Sequence, residues 1–300
     1  MRITFLGTSA VFPTKRRNHQ AVLLSYGGES LLFDCGEGTQ RQIAIAKLKP
    51  MRISKIFISH WHGDHVLGLP GLLQSLTMNN RSAPLEIFGP VGTKRHFKHM
   101  LATYEVVLSF DVRVHELRLG QEVTVVDQIV DYQILAAKLK HPIPCLGFAF
   151  VEKPKLKINM DYLRQFGLRS SPLLKKLQHG QDIVWHGKKI KVKDATLEKP
   201  GKKIAYIVDT VVVPQAVELA KGADILICEG TFLNELKQKA LERGHMTARQ
   251  AGKLAKKADV KQLILTHFSQ RYKDVRPLLR EAKGAFRNTI AAEDFMEIKI

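Results

Sequence analysis

The stretch "KIFISHWHGDHVLG", residues 55–68, places His60, His62, Asp64 and His65 within six positions, directly behind an apolar run that reads as a buried strand. Imidazoles and carboxylates are poor core material, because burying them unpaired is costly. In a strand alternate residues face the same side, so His60 and His62 are expected to point one way as the chain leaves the sheet. Gly63 permits a tight turn, and Asp64 and His65 follow at the start of a helix. Ligands in α/β proteins gather at this carboxyl edge of strands. Histidine with aspartate suits zinc and comparable divalent ions. HxHxDH behind a clean strand therefore reads as a metal site.

Four groups on one loop do not saturate two ions, and other strand ends offer more. His141 closes "YQILAAKLKH", Asp209 closes "KIAYIVD" and His267 closes "KQLILTH". A carboxylate at Asp209 can bridge two cations, with His141 and His267 completing one shell each. Of the other histidines, His19, His96, His99, His115, His179 and His186 lack this context and read as ordinary core or surface residues. His245 precedes "MTARQAG", in which Thr247 and Gln250 have capping-box spacing. It thus stands just before a helix N-terminus, where backbone N–H groups favour anions. Spacing alone leaves it either a site residue or a bland one.

Short apolar runs alternate with helical patterns before residue 105, give way to strands over about 110–152, and alternate again after Lys203. That order predicts an α/β fold of two packed sheets with helices outside. Residues 153–203 interrupt it with Pro154, Pro172, Pro200 and many lysines, and read as a protruding insertion in a single domain spanning 1–300. The chain carries 47 basic against 28 acidic residues, a net +19. Between Val151 and Lys203, 14 Lys/Arg less 5 Asp/Glu give +9, nearly half of the excess. Clustered positive charge points to a nucleic-acid partner or to a solvated face. Cys35, Cys145 and Cys228 are sparse and lie in apolar surroundings, which predicts core residues rather than disulfides or metal ligands. No run approaches a membrane span, and the polar "MRITFLGTSAVFPTKRRN" lacks a signal-peptide core, so no membrane partner and a cytoplasmic location are expected.

Together these residues resemble the metallo-β-lactamase superfamily and, within it, the ribonuclease Z family of tRNA 3′-processing endonucleases. The resemblance runs through "FLGTSAVFPTKRRN" (5–18), "LLFDCGEGTQRQ" (31–42), "FISHWHGDHVLGLPGLL" (57–73), "IVDT" (207–210), "GHMTARQAG" (244–252) and "LTHFSQRY" (265–272). The ending "AAEDFMEIKI" is similar to the short, archaeal-type enzymes. It implies an αββα sandwich with a protruding basic arm, and a metal-dependent endoribonuclease that removes the 3′ trailer of precursor tRNA as a homodimer. Two divalent ions are implied, zinc first. One would be held by His60, His62, His141 and Asp209, the other by Asp64, His65, Asp209 and His267. Asp64 would also act as general base and His245 at the scissile phosphate, in a two-metal hydrolysis that leaves a 3′-hydroxyl on the tRNA and a 5′-phosphate on the trailer. The lysine-rich segment resembles the flexible tRNA-binding arm, with Lys175 and Lys176 as phosphate contacts. Pro172 there lacks the preceding glycine common in such arms. Lys15, Arg16 and Arg17, in the loop that meets the tRNA 3′ end in relatives, are further RNA contacts. A small-molecule hydrolase of the same superfamily would share the metal core but need no basic arm.

Overall fold

The computed structural model describes residues 1–300. Strands β1 (Arg2–Gly7), β2 (Ala21–Tyr26), β3 (Glu29–Phe33), β4 (Ile53–Phe57), β5 (Leu85–Pro90) and β6 (Val112–Leu117) precede β7 (Thr124–Gln128), β8 (Tyr132–Leu139) and β9 (Cys145–Glu152). Four short strands follow, β10 (Lys155–Ile158), β11 (Ile183–Trp185), β12 (Lys188–Ile190) and β13 (Thr196–Lys199). The chain closes with β14 (Lys203–Ile207), β15 (Ile225–Glu229), β16 (Gln262–Thr266), β17 (Thr289–Ala291) and β18 (Glu297–Lys299). One seven-stranded sheet has the order β18-β1-β2-β3-β4-β5-β6, the other β17-β16-β15-β14-β9-β8-β7.

The parity of each strand sorts its side chains into layers. On β4, Ile56 joins a cluster with Leu69, Leu72 and Leu73 of the helix Leu69–Met78, while Phe57 faces the other way. Its ring lies 5.2 Å from Phe33 of β3 and 5.3 Å from Phe148 of β9, and Phe33 lies 5.5 Å from Tyr206 of β14. The layer between the sheets is therefore aromatic. On the far side, Ala205 and Ile207 of β14 and Leu226 and Cys228 of β15 pack with Leu219, Ala251, Leu254 and Leu278 from three helices. Strands apolar on both faces read as continuous runs rather than alternations, which is why the two-sheet sandwich is legible from "KIFIS" and "DILIC". All three cysteines are free and buried.

Residues 128–133 and 151–202 form a second compact unit. Its interior is small: Leu163, Leu168, Leu177, Ile183, Ile190 and Ala195 are buried together. β10 pairs antiparallel with β13 and β11 with β12. Lys153 N–H donates to the Asp131 carbonyl at 2.9 Å, which ties residues 128–133 into this unit. Lys175 and Lys176 lie exposed on the helix Leu173–Gln178 while Leu177 turns inward.

Candidate metal centre

The strands stop short of the groups they present. β4 ends at Phe57, three residues before His60; β8 ends at Leu139, two before His141; β14 ends at Ile207, two before Asp209. His60 and His62 thus owe their convergence to the loop, not to strand alternation, and they turn different nitrogens toward each other. Gly63 opens a four-residue helix, Gly63–Val66, that carries Asp64 and His65. Asp209 and His267 are held at φ 51° and 57°. Non-glycine residues rarely adopt this left-handed conformation, and here it re-aims both side chains as the strands end.

These loops bring one atom each of His60, His62, His141 and Asp209 within 4.8 Å of one another, and likewise of Asp64, His65 and His267. Asp209 stands between the two sets. Its Oδ2 lies 3.5 Å from His60 Nε2 and 3.6 Å from His65 Nε2, and its Oδ1 lies 3.1 Å from His267 Nε2.

Three observations fit a divalent ion in each set. His62 Nδ1 lies 3.0 Å from His60 Nε2 and 3.1 Å from His141 Nε2, and His65 Nε2 lies 3.2 Å from His267 Nε2. Ring nitrogens converging at such distances are met by a shared proton or by a cation between them. Asp209 Oδ1 is buried and makes no hydrogen bond. The outward nitrogens are already engaged: His65 Nδ1 lies 2.7 Å from Asp34 Oδ2, His141 Nδ1 3.0 Å from the Gly244 carbonyl and His267 Nδ1 3.2 Å from Thr231 Oγ1. Partners of this kind fix the ring of a metal-binding histidine.

The electrostatics agree. Burial lowers the basicity of His60, His62 and His141, favouring the neutral, lone-pair form. Burial opposes ionisation of Asp209, yet His267 and His65 beside it hold its carboxyl well below the usual range. Burial would also lower His65, but the Asp209 and Asp34 carboxylates draw it well above its ordinary value, a field that suits a cation.

Two buried carboxylates complete the centre, and the sequence reading passes over both. Asp34, at φ 57°, accepts from Ser59 N–H (2.7 Å), Ser59 Oγ–H (2.8 Å) and Tyr206 O–H (2.7 Å) besides His65. Glu229 accepts from Thr210 N–H at 2.7 Å and Thr231 Oγ–H at 2.6 Å, and its Oε2 lies 3.2 Å from His245 Nδ1. They end "LLFD" and "ILICE", so the strand-end context that singles out Asp209 also marks them. His245 sits before the helix Ala248–Lys257, whose Thr247–Gln250 capping box is formed in both directions. Burial lowers its basicity, but Glu229 and Asp209 outweigh that and raise it to about 9.

The RNA-contact candidates divide. Lys15 and Arg16 are exposed. Arg17 is half-buried, donating from Nη2 to the Tyr272 carbonyl at 2.6 Å with its guanidinium 5.9 Å over Phe268. His96, read as a bland surface residue, stacks on Trp61 at 5.2 Å.

Comparison with known proteins settles the family. Residues 1–115 match the family profile described as anti-Pycsar protein Apyc1, and residues 185–268 that of the beta-lactamase superfamily domain. The chain is 41% identical over 304 residues to the ribonuclease Z of Archaeoglobus fulgidus, covering 100% of this chain and 97% of the relative. The chain belongs to the ribonuclease Z family. It is accordingly a metal-dependent endoribonuclease, a hydrolase of the metallo-β-lactamase fold. The ribonuclease Z of Chlamydia muridarum is 38% identical, with 98% of this chain and 95% of that protein covered. Among solved structures, the short form of human tRNase Z superposes with a TM-score of 0.73 at 33% identity, covering 100% of this chain and 99% of that one. A metallo-beta-lactamase fold protein of Bacillus subtilis, YhfI, superposes at 0.71 with 19% identity over 99% of each chain, a likeness of fold alone. No helix is long and apolar enough to cross a membrane.

Proposed function

We propose that this enzyme removes the 3′ trailer of precursor tRNA by hydrolysing one phosphodiester bond. The observation that carries the reading is Asp209, whose carboxylate lies beside histidines of both sets, His60 on one side and His65 and His267 on the other, in a chain akin to ribonuclease Z throughout. One divalent ion would be held by His60, His62, His141 and Asp209, and a second by Asp64, His65, Asp209 and His267. Zinc suits this donor set. When bound, the pair supplies charge neutralisation and an activated water at neutral pH.

The chain's own groups do the rest. Val11 N–H donates to Asp64 Oδ2 at 2.8 Å, which orients the carboxylate assigned as general base. Glu229 holds His245 by Nδ1, leaving Nε2 for the scissile phosphate. Developing charge on the phosphate oxygens is met there by a fixed donor. The water oxygen joins phosphorus, the P–O3′ bond breaks, and the departing O3′ takes a proton. The tRNA thus keeps a 3′-hydroxyl and the trailer a 5′-phosphate. Lys15, Arg16 and Arg17 are assigned to phosphates near the cut. The lysine-rich unit, through Lys175 and Lys176, is assigned to the tRNA backbone, contacts that position without reading sequence. A homodimer acting in the cytoplasm belongs to the same proposal.

Incubation of the purified enzyme with a 3′-extended precursor tRNA, followed by mapping of both fragment ends, tests it. A single cut after the discriminator base, abolished by a chelator, is expected. An intact precursor in the presence of zinc and of manganese would sink the reading.

A further inference from the structure

The cleft over the metal-ligating cluster, about 420 Å³ in volume, is lined by two unlike groups of residues. One is the loop through Val11 and Phe12. Val11, a β-branched residue, is held at φ 47°, a conformation such residues rarely adopt. Three bonds hold it there. Its N–H donates to Asp64 Oδ2 at 2.8 Å, its carbonyl lies 3.0 Å from His19 Nε2, and Ser9 Oγ–H donates to the Phe12 carbonyl at 2.6 Å. The backbone is thus pinned to a site carboxylate while Val11 and Phe12 stay 57% and 56% exposed. Single exposed apolar residues need no explanation. Two in succession on a strained, pinned loop lining the reaction cleft contribute little to any core, so burial does not account for them.

Outside the ligand set, three cations against one carboxylate, Glu242, also line the cleft. Arg271 lies 5.3 Å over the Phe232 ring, and Arg243 and Lys239 line the same cleft. A single-stranded polynucleotide presents charged phosphates on one side and flat apolar bases on the other. Cations and an exposed aromatic ring in one cleft form the pairing that binds such strands.

We propose that Phe12 is a stacking platform for a base adjoining the scissile phosphate, a substrate-positioning residue that sets which bond reaches the metal cluster. The inference rests on the RNA-hydrolase reading above and adds the group that places the strand. Stacking accepts any base, because each has a π-face. The platform therefore fixes position without fixing sequence.

The test compares wild type, Phe12→Ala and Phe12→Trp on three 3′-extended precursor tRNAs. One is intact, one lacks the base 5′ of the cut and one lacks the base 3′ of it. On the intact precursor Phe12→Ala should lower kcat/KM by about 5- to 150-fold, the worth of one stacked base, and blur the cut site. Phe12→Trp should restore both. On one of the two abasic precursors wild type should fall by a similar factor and Phe12→Ala should lose nothing further, since the partner is already gone. Equal losses for Phe12→Ala on all three precursors, or none on the intact one, would overturn the platform while leaving the hydrolase reading intact. Failure of wild type to cut the intact precursor would overturn both.

Discussion

The loop His60–His65 and the segment Val151–Lys202 both break the apolar pattern of the chain, but they break it in opposite ways. The first buries polar groups: His60 and His65 are 0% exposed, Asp64 is buried and His62 half-buried, and the outward nitrogen of His65 has its partner. The second spreads charge over a unit whose buried interior has six apolar side chains. Polar groups inside a core must be paired or ligated, so their presence announces chemistry. Lysines on a surface carry no such obligation, and their meaning comes from a partner. Loss at the first region should therefore disable the reaction, and loss at the second only weaken capture of the substrate.

The largest effect expected is at Asp64. Asp64→Ala should lower cleavage of a precursor tRNA by on the order of a thousandfold or more with the fold retained, since the proposed metal-binding and general-base roles would be lost together. Far-UV circular dichroism beside the kinetics separates this from unfolding. Glu229→Gln should come next, with about a hundredfold fall in kcat and little change in KM, because the ring of His245 loses its charged anchor but the substrate is still bound. Asp34→Asn should weaken metal binding by about 10- to 100-fold, read by competition with a chromogenic chelator. A Lys175→Ala, Lys176→Ala double variant should raise KM several-fold with kcat unchanged. Its salt dependence of binding should flatten by about 0.9 in log–log slope for each phosphate contact removed. An unchanged slope would return those lysines to a solvated face.

The smallest effect lies at a half-buried carboxylate. Asp294 accepts from Thr8 Oγ–H at 2.8 Å and Asn18 N–H at 2.7 Å, yet burial prevails and raises its carboxyl from 3.8 to about 6. Between those values the folded chain binds the proton more tightly than the unfolded chain. The contribution of this group to stability is therefore fullest below about pH 4 and falls as pH rises to about 6. The unfolding midpoint of wild type relative to Asp294→Asn should fall over that window and level off above it. A flat difference would contradict the assignment.

How much of this is legible in the sequence follows from the same contrast. The strand runs and the cluster 60–65 stand out because each is local. The supporting pair is less visible. Asp34 and Glu229 end apolar runs just as Asp209 does, but a search for metal ligands asks what converges on an ion, not what holds a ring by its far nitrogen. The left-handed backbone at Asp34, Asp209 and His267 depends on the surrounding packing and leaves no mark in composition. β18 pairs with β1, Arg2 opposite Lys299, a ladder no local pattern predicts. In the lysine-rich segment β10 meets β13, Lys155 opposite Lys199, and the intervening lysines hide the periodicity.

The most direct measurement is the metal content of purified wild type and of Asp209→Ala, with precursor-tRNA cleavage assayed on the same samples. If Asp209 is shared, wild type holds two ions per chain, and the variant loses most of both together with cleavage. One ion in wild type, or a variant that keeps two and still cuts the precursor, would contradict the shared centre.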